Sequence, residues 1–373
     1  MRPIHRKYVD VSFGQVHLAE CAHPGASGLP VVLLHQTPRS WDEYREILPL
    51  LGATRRTIAV DTPGMGASDP VPGTQSIEGY SVGIIEALDA LDLERFHLVG
   101  HHTGGLIAVE IATTIPERVD RLILSSTPMI DESARAARRN RSPIDAVSID
   151  ADGHHLAELW QRRQAFYPED RPDLLHRFVR DAMAVDDPEA GHDAVGAYRM
   201  EQRIDLLTRR PLLLVGHEAD PYAFPDLEPL ASSLPQAQVA TIPAGMVPLE
   251  HTAAAFAEVV RRFLDEAPVE LMPARARLDL RSFEVRLACE SADIDRAAES
   301  HLRDAGIELE SWGAGRAAIR TTVEATTDVD AIVAARERLL DAGGPQQISF
   351  ISVSGARVAP RDPSASIDPP PSR

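Results

Sequence analysis

Two histidines stand between glycines in Gly100-His101-His102-Thr103-Gly104, directly after the apolar run Leu98-Val99 and before a helical stretch at 103–115. Glycines so placed permit a tight strand-to-helix turn that lifts one side chain off the sheet edge. An imidazole lifted there can take a proton from water or substrate near neutral pH. Backbone N–H groups at the start of the new helix stabilise negative charge developing beside them. The chemistry these five residues support is therefore proton abstraction next to an anion-binding turn. A metal centre drawing on His35, His101, His102 and Asp220 would need three loops to converge, and no spacing among them is that of a ligand set, so no metal is expected. No cofactor is expected either.

The elements that must position these residues follow from apolar runs. Pro30 to His35 is continuously apolar up to its polar end, as is a strand buried on both faces of a parallel sheet. Thr57 to Val60, Arg95 to Val99, Arg121 to Ser125 and Pro211 to Val215 repeat the pattern, and a short strand is expected at Val239 to Ile242. Helical stretches at 40–51, 76–92 and 103–115 alternate with the first four, which predicts right-handed strand–helix–strand crossovers. Residues 7–12 and 15–21 read as a hairpin ahead of them. The rhythm breaks from 128 to 208, a segment rich in Arg and His with helical periodicity, and resumes with the Leu212 strand and a helix at 251–266. The expected organisation is a core formed by 1–127 and 209–268, a helical cap at 128–208, a βαββαβ ferredoxin-like domain at 275–358 and a disordered Pro/Ser/Asp-rich tail at 359–373.

Composition narrows the function classes. A formal net charge of −18 repels phosphate backbones and anionic headgroups, so neither nucleic acid nor a membrane surface is an expected partner. No stretch approaches the ~20 apolar residues of a membrane-spanning helix, and the N-terminus has no apolar leader core. Cys21 and Cys289 fall one in each proposed domain, which argues against a disulfide framework and for a reducing cytoplasm. The expected partner is a small molecule, with a homo-oligomer through the C-terminal domain as a further reading.

Five landmarks in order make residues 1 to about 266 resemble the α/β-hydrolase superfamily. His35-Gln36-Thr37-Pro38 resembles its oxyanion turn, with Gln36 in place of glycine. Asp61 to Ser68 resembles the loop after the next strand, and Gly100 to Gly104 its nucleophile elbow. Gly216 to Pro221 resembles the loop of the acidic triad member, and Ile242 to Glu250 the final loop, where a histidine normally follows the glycine. The fold so implied is α/β, a mostly parallel sheet flanked by helices with a cap insertion. By position His102 stands where the family presents its serine, Asp220 is the acid, and Met246 replaces the relay histidine. The Thr37 and Thr103 N–H groups would form the oxyanion hole.

The departures rule out an acyl-serine at the elbow. The imidazole of His102 is longer than a serine side chain and can reach the space of the missing relay histidine, meeting Asp220 directly. The resemblance thus implies an enzyme acting on a small carbonyl compound, by ester, lactone or C–C/C–X hydrolysis or by lyase chemistry, with His102 as general base and Asp220 as its orienter. The rival readings are a ligand-binding protein that has kept the pocket and lost the chemistry, and an interaction protein built on the C-terminal domain. His251 offers a replacement for the missing histidine. Pocket candidates in the core are His35, Gln36, His101, Ser126 and Met246. In the cap they are His154, His155, Trp160, Tyr167, His192, Tyr198 and Met200.

Overall fold

In the computed structural model the described residues are 3–139, 141–207 and 210–265, together with the strands at 281–290, 307–313, 316–325 and 349–358. The chain divides into two units, Met1–Leu271 and Met272–Arg373.

The first unit is built on eight strands: β1 (His5–Val11), β2 (Gly14–Cys21), β3 (Val31–Leu34), β4 (Thr57–Val60), β5 (Phe96–His101), β6 (Val119–Ser125), β7 (Leu212–His217) and β8 (Gln238–Ile242). Their order in the sheet is β1-β2-β4-β3-β5-β6-β7-β8. The β1–β2 and β2–β4 pairs are antiparallel, and every pair from β4 to β8 is parallel. Every residue of β3, β4, β5 and β7 is buried, because a parallel strand covered by helices on both faces has no polar side to show. Helices α1 (Ile47–Leu51), α2 (Ile77–Ala90) and α3 (Thr103–Thr114) connect the early strands. Between β6 and β7 run α4 (Glu132–Arg138), α5 (His154–Gln164), α6 (Pro172–Met183) and α7 (Ala190–Ala197). After β7 come α8 (Leu227–Ser233), α9 (Pro248–His251) and α10 (Ala253–Asp265).

Two apolar clusters lie on opposite faces of the sheet. One joins alternate residues of the strands, such as Val32, Leu98 and Leu124, to α2 and α3. The other joins the intervening residues, such as Leu33, Val99 and Ile123, to α1 and α10. A period of two along each strand divides its side chains between the two faces. The parallel strands thus end together at one edge, and His35, His102, Ser126 and Asp220 all follow strand C-termini there.

The predicted helix at 40–51 is instead a short turn of tighter helix at Trp41–Tyr44 followed by α1. The predicted helix at 251–266 begins earlier: Pro248, preset for a first helical turn, opens α9, and a break at Thr252 separates it from α10. His251 therefore closes a short helix rather than opening a long one.

In the second unit β9 (Arg281–Glu290), β10 (Ile307–Gly313), β11 (Arg316–Ala325) and β12 (Ser349–Val358) form an antiparallel sheet in the order β10-β11-β9-β12. The helices expected at 292–305 and 328–341, and the tail at 359–373, lie outside the described residues.

Candidate active site

The turn from β5 into α3 is set by its glycines. A Cβ on Gly100 would stand 2.1 Å from the Gly104 carbonyl oxygen, and one on Gly104 would stand 2.1 Å from the Leu34 carbonyl oxygen. No larger residue fits either position. Between them His102 adopts φ 47°, ψ −114°, a conformation that costs a residue with a side chain about 1–3 kcal/mol. Its N–H donates to the Ser125 carbonyl at 3.0 Å and its carbonyl accepts from Gly105 at 2.9 Å, which locks the turn.

So held, the His102 ring meets Asp220. Nε2 lies 2.9 Å from Asp220 Oδ2, and the carboxylate is fully buried. The approach is close but off the axis of a well-aligned hydrogen bond. Asp220 Oδ1 accepts the Tyr222 and Ala223 N–H groups at 3.0 and 3.2 Å. Burial alone would raise the carboxyl's pKa, but His102 and these two N–H groups outweigh it and hold it well below the usual carboxylate range. Asp220 is therefore an anion across the pH range in which proteins work.

Three neutral histidines surround the pair. His101 is buried, with Nδ1 3.0 Å from Ser125 Oγ and its ring edge-on to His102 at 4.7 Å and to His217 at 5.8 Å. Burial, then the neighbouring His102 and His217, push it well below the ordinary imidazole value. His217 Nδ1 lies 2.8 Å from Ser126 Oγ, and burial followed by His102 lowers it to about 3. His35 ties down the adjoining turn. Its Nε2 accepts the Thr62 N–H at 2.9 Å, so Nδ1 carries the proton and donates to the Gln36 carbonyl at 2.8 Å. Burial lowers its pKa as well.

The same turn brings Thr37 to the cavity lining, while the Thr103 N–H opens α3, where helix geometry leaves it without an intrahelical acceptor. Gln36 is anchored from behind, its N–H and its Nε2 both donating to Glu43, at 3.0 and 2.5 Å.

A cavity of about 430 Å³ lies over these groups. Gln36, Thr37, His102, Thr103, Tyr222, Ala223, Met246 and Val247 line its floor, and the segment between β6 and β7 lines the other side through Arg138, Arg141, Arg163, Phe166, Tyr167, Phe178 and His192. Of the residues singled out in the sequence, Gln36, Thr37, His102, Thr103, Tyr167, His192 and Met246 thus meet at one cavity, with Asp220 directly beneath.

The others lie elsewhere. His35, His101 and Ser126 are packed behind the floor. Tyr198 is buried with its hydroxyl donating to Glu110 on α3 at 3.0 Å, Trp160 and His155 are half-buried on α5, Met200 is in the core, and His154 and His251 are exposed. Among the described residues the closest grouping of ligand-type side chains is Asp150, Asp152 and His154, away from the cavity lining.

Sequence reasoning missed His217, although it sits in the quoted Gly216-His217-Glu218 loop. It also missed Glu43, although its partners Gln36 and Arg39 are near in sequence, Asp145, whose partners Arg163 and His192 lie 18 and 47 residues away, and the arginines of the upper wall.

The sequence profile described as the alpha/beta hydrolase fold matches residues 30–245, more than half of the chain. The chain belongs to the alpha/beta hydrolase fold family. Among relatives of this family member, a 2-hydroxy-6-oxononadienedioate/2-hydroxy-6-oxononatrienedioate hydrolase of Paraburkholderia phymatum is 30% identical over 230 residues, 59% of this chain and 72% of that enzyme. An enzyme of the same name from Cupriavidus pinatubonensis is 36% identical over 124 residues, 32% of this chain and only 43% of its own length. The enol-lactonase of Burkholderia xenovorans shares the fold with a TM-score of 0.57 at 22% identity, over 70% of this chain and all of that one.

Proposed function

We propose that this alpha/beta hydrolase fold protein is an enzyme that hydrolyses a small carbonyl compound, with His102 as the general base and Asp220 as its orienting anion. The observation that carries the reading is the 2.9 Å contact between them, made by a residue in a strained conformation at the cavity floor. Strain of this kind persists where the surroundings over-determine it, and it concentrates at functional sites.

With Nε2 turned to Asp220, Nδ1 is the ring nitrogen left for the cavity. It takes a proton from water as the water oxygen attacks the carbonyl carbon, and the carbonyl π pair moves to oxygen. The Thr37 and Thr103 N–H groups stabilise that oxyanion, and Asp220 balances the imidazolium formed. Collapse restores the carbonyl and expels the leaving group, which takes up one proton while the His102 imidazolium gives up its own, so that one water is added overall. Burial keeps His101 and His217 neutral, so the proton taken from water stays on His102 until that collapse.

The relatives' names support an acidic substrate, since they describe hydrolysis of oxo-dienedioates. Arg138 fits this: it lines the cavity, and among the described residues no carboxylate lies within ion-pair distance of it, whereas Arg141 is paired with Glu189 and Asp193 and Arg163 with Asp145. Replacing His102 by alanine tests the proposal through kcat/KM on simple aryl esters and lactones. We expect a loss of roughly 10²–10⁴-fold, the usual contribution of a general base, and no labelling of the wild type by a fluorophosphonate. Undiminished turnover in His102→Ala, or a labelled serine, contradicts it.

A further inference from the structure

We infer that His192 is the general acid of this cavity, oriented by the buried carboxylate of Asp145, and that it protonates the leaving oxygen of an ester or lactone substrate. The inference rests on the reading of His102 as the base.

His192 and Asp145 repeat, on the opposite wall, the arrangement found at the floor. His192 Nε2 lies 2.7 Å from Asp145 Oδ2; the carboxylate is wholly buried and the imidazole is 16% exposed. The ring lines the same cavity as His102. With Nε2 on the carboxylate, Nδ1 is the nitrogen that remains for a ligand.

Asp145 is itself fixed, which separates this pair from a casual surface contact. Its Oδ1 takes the Arg163 guanidinium at 2.7 Å, and Arg163 lies over the Phe178 ring at 4.9 Å. The loop carrying Asp145 is gathered by one oxygen, Glu189 Oε1, which accepts the N–H groups of Ile144, Asp145 and Ala146 at 2.7, 2.5 and 2.9 Å. Carboxylate-oriented histidines held by a further layer of partners are the pattern of built sites. The charged groups around His192 are Asp145 with its partner Arg163 and Glu189 with its partner Arg141.

A second observation ties the helix that carries this histidine to the floor of the cavity. Its neighbour Gly191 packs directly on the oxyanion turn: a Cβ there would stand 2.0 Å from Thr37 Oγ1. The missing side chain lets α7 close on Thr37, and both Thr37 and His192 line the cavity. In this inference a proton donor on α7 serves the leaving oxygen while the floor serves the carbonyl oxygen.

The step balances without a further reactant. Water loses a proton to His102 and forms the new C–O bond. When the tetrahedral intermediate collapses, the bond to the leaving oxygen breaks, its electron pair goes to that oxygen, and the His192 imidazolium supplies the proton. Transfer of one proton from His102 to His192 through solvent resets the site, for a net addition of water.

A general acid matters in proportion to how poor the leaving group is. Phenyl acetate and 4-nitrophenyl acetate, whose leaving groups differ in acidity, therefore separate the roles. For His192→Gln we expect kcat/KM on phenyl acetate to fall about 100-fold and on the nitrophenyl ester less than about fivefold. His192 lies at the cavity surface, and the variant's thermal midpoint should match the wild type's. Equal losses on both esters, or none on either, overturn the proposal and leave His192 as a binding or packing residue. If His102→Ala is inactive while His192→Gln is unaffected, only this inference fails. If the wild type turns over neither ester, both fail.

Discussion

Strain at His102 is a residue-scale property with a residue-scale test. At an ordinary position glycine is less stabilising than alanine by roughly 0.4–1 kcal/mol, because glycine gains more freedom in the unfolded chain. At φ 47°, ψ −114° the order should invert. His102→Ala and His102→Gly lose the same imidazole and the same contact with Asp220, so the difference between them isolates the backbone. We expect the glycine variant to be the more stable by about 1–2 kcal/mol, once ~1–3 kcal/mol of relieved strain is set against the glycine's entropy. Calorimetric midpoints measure it, and an alanine variant as stable as the glycine one would remove strain from the account. His102 was legible as a displayed side chain because two glycines and an apolar run announce the turn in sequence. Its contact with Asp220 followed from the length of an imidazole. Tyr198 was not legible: aromatic character suggested a pocket, whereas its hydroxyl pairs with Glu110, 88 residues away.

At the scale of elements, the oxyanion turn is joined to α6 and α9 through a buried charge cluster. Arg39 is fully buried, donates to Asp181 of α6 at 3.0 Å and to Glu250 of α9 at 2.8 Å, and stands 3.7 Å from Glu43. Arg177 of α6 adds contacts to Asp42 and Glu46. Carboxylates outnumber guanidinium groups here, and the imbalance falls on Glu250. Burial raises it, Arg39 opposes, and the nearby Glu43 charge raises it again, so that it reaches about 7. Glu43 is raised by burial too. A folded value above the unfolded ~4.3 means the native state binds the proton more tightly. The stability so contributed is complete below about pH 4 and is lost as pH rises to about 7. Glu250→Gln, which keeps an acceptor for Arg39, should therefore flatten the fall in thermal midpoint between pH 5 and pH 8. An unchanged pH slope in the variant would contradict this.

The strands of the first unit were legible in place and order, because each central one carries an apolar run that is buried on both faces. The cluster was not, since Arg39, Asp181 and Glu250 meet only through tertiary contacts that no local periodicity encodes. For the same reason the His192–Asp145 pair could not be paired from sequence, although His192 could be suspected.

Across the whole molecule, a chain of formal net charge −18 keeps a cavity whose upper wall holds three arginines. Two are neutralised by carboxylates, and on the proposed reading Arg138 is the one that meets an anionic substrate. Among the described residues no helix is long and apolar enough to cross a membrane. The second unit contributes an antiparallel four-stranded sheet. The chemistry proposed here needs none of it, since every group invoked belongs to the first unit. The central claim is that an imidazole at position 102 is the base, and chemical rescue addresses it most directly. With His102→Gly, added imidazole should restore hydrolysis of 4-nitrophenyl acetate in proportion to its concentration, above the rate imidazole gives without protein. A variant as active as the wild type, or an inactive one that imidazole leaves inactive, contradicts the account.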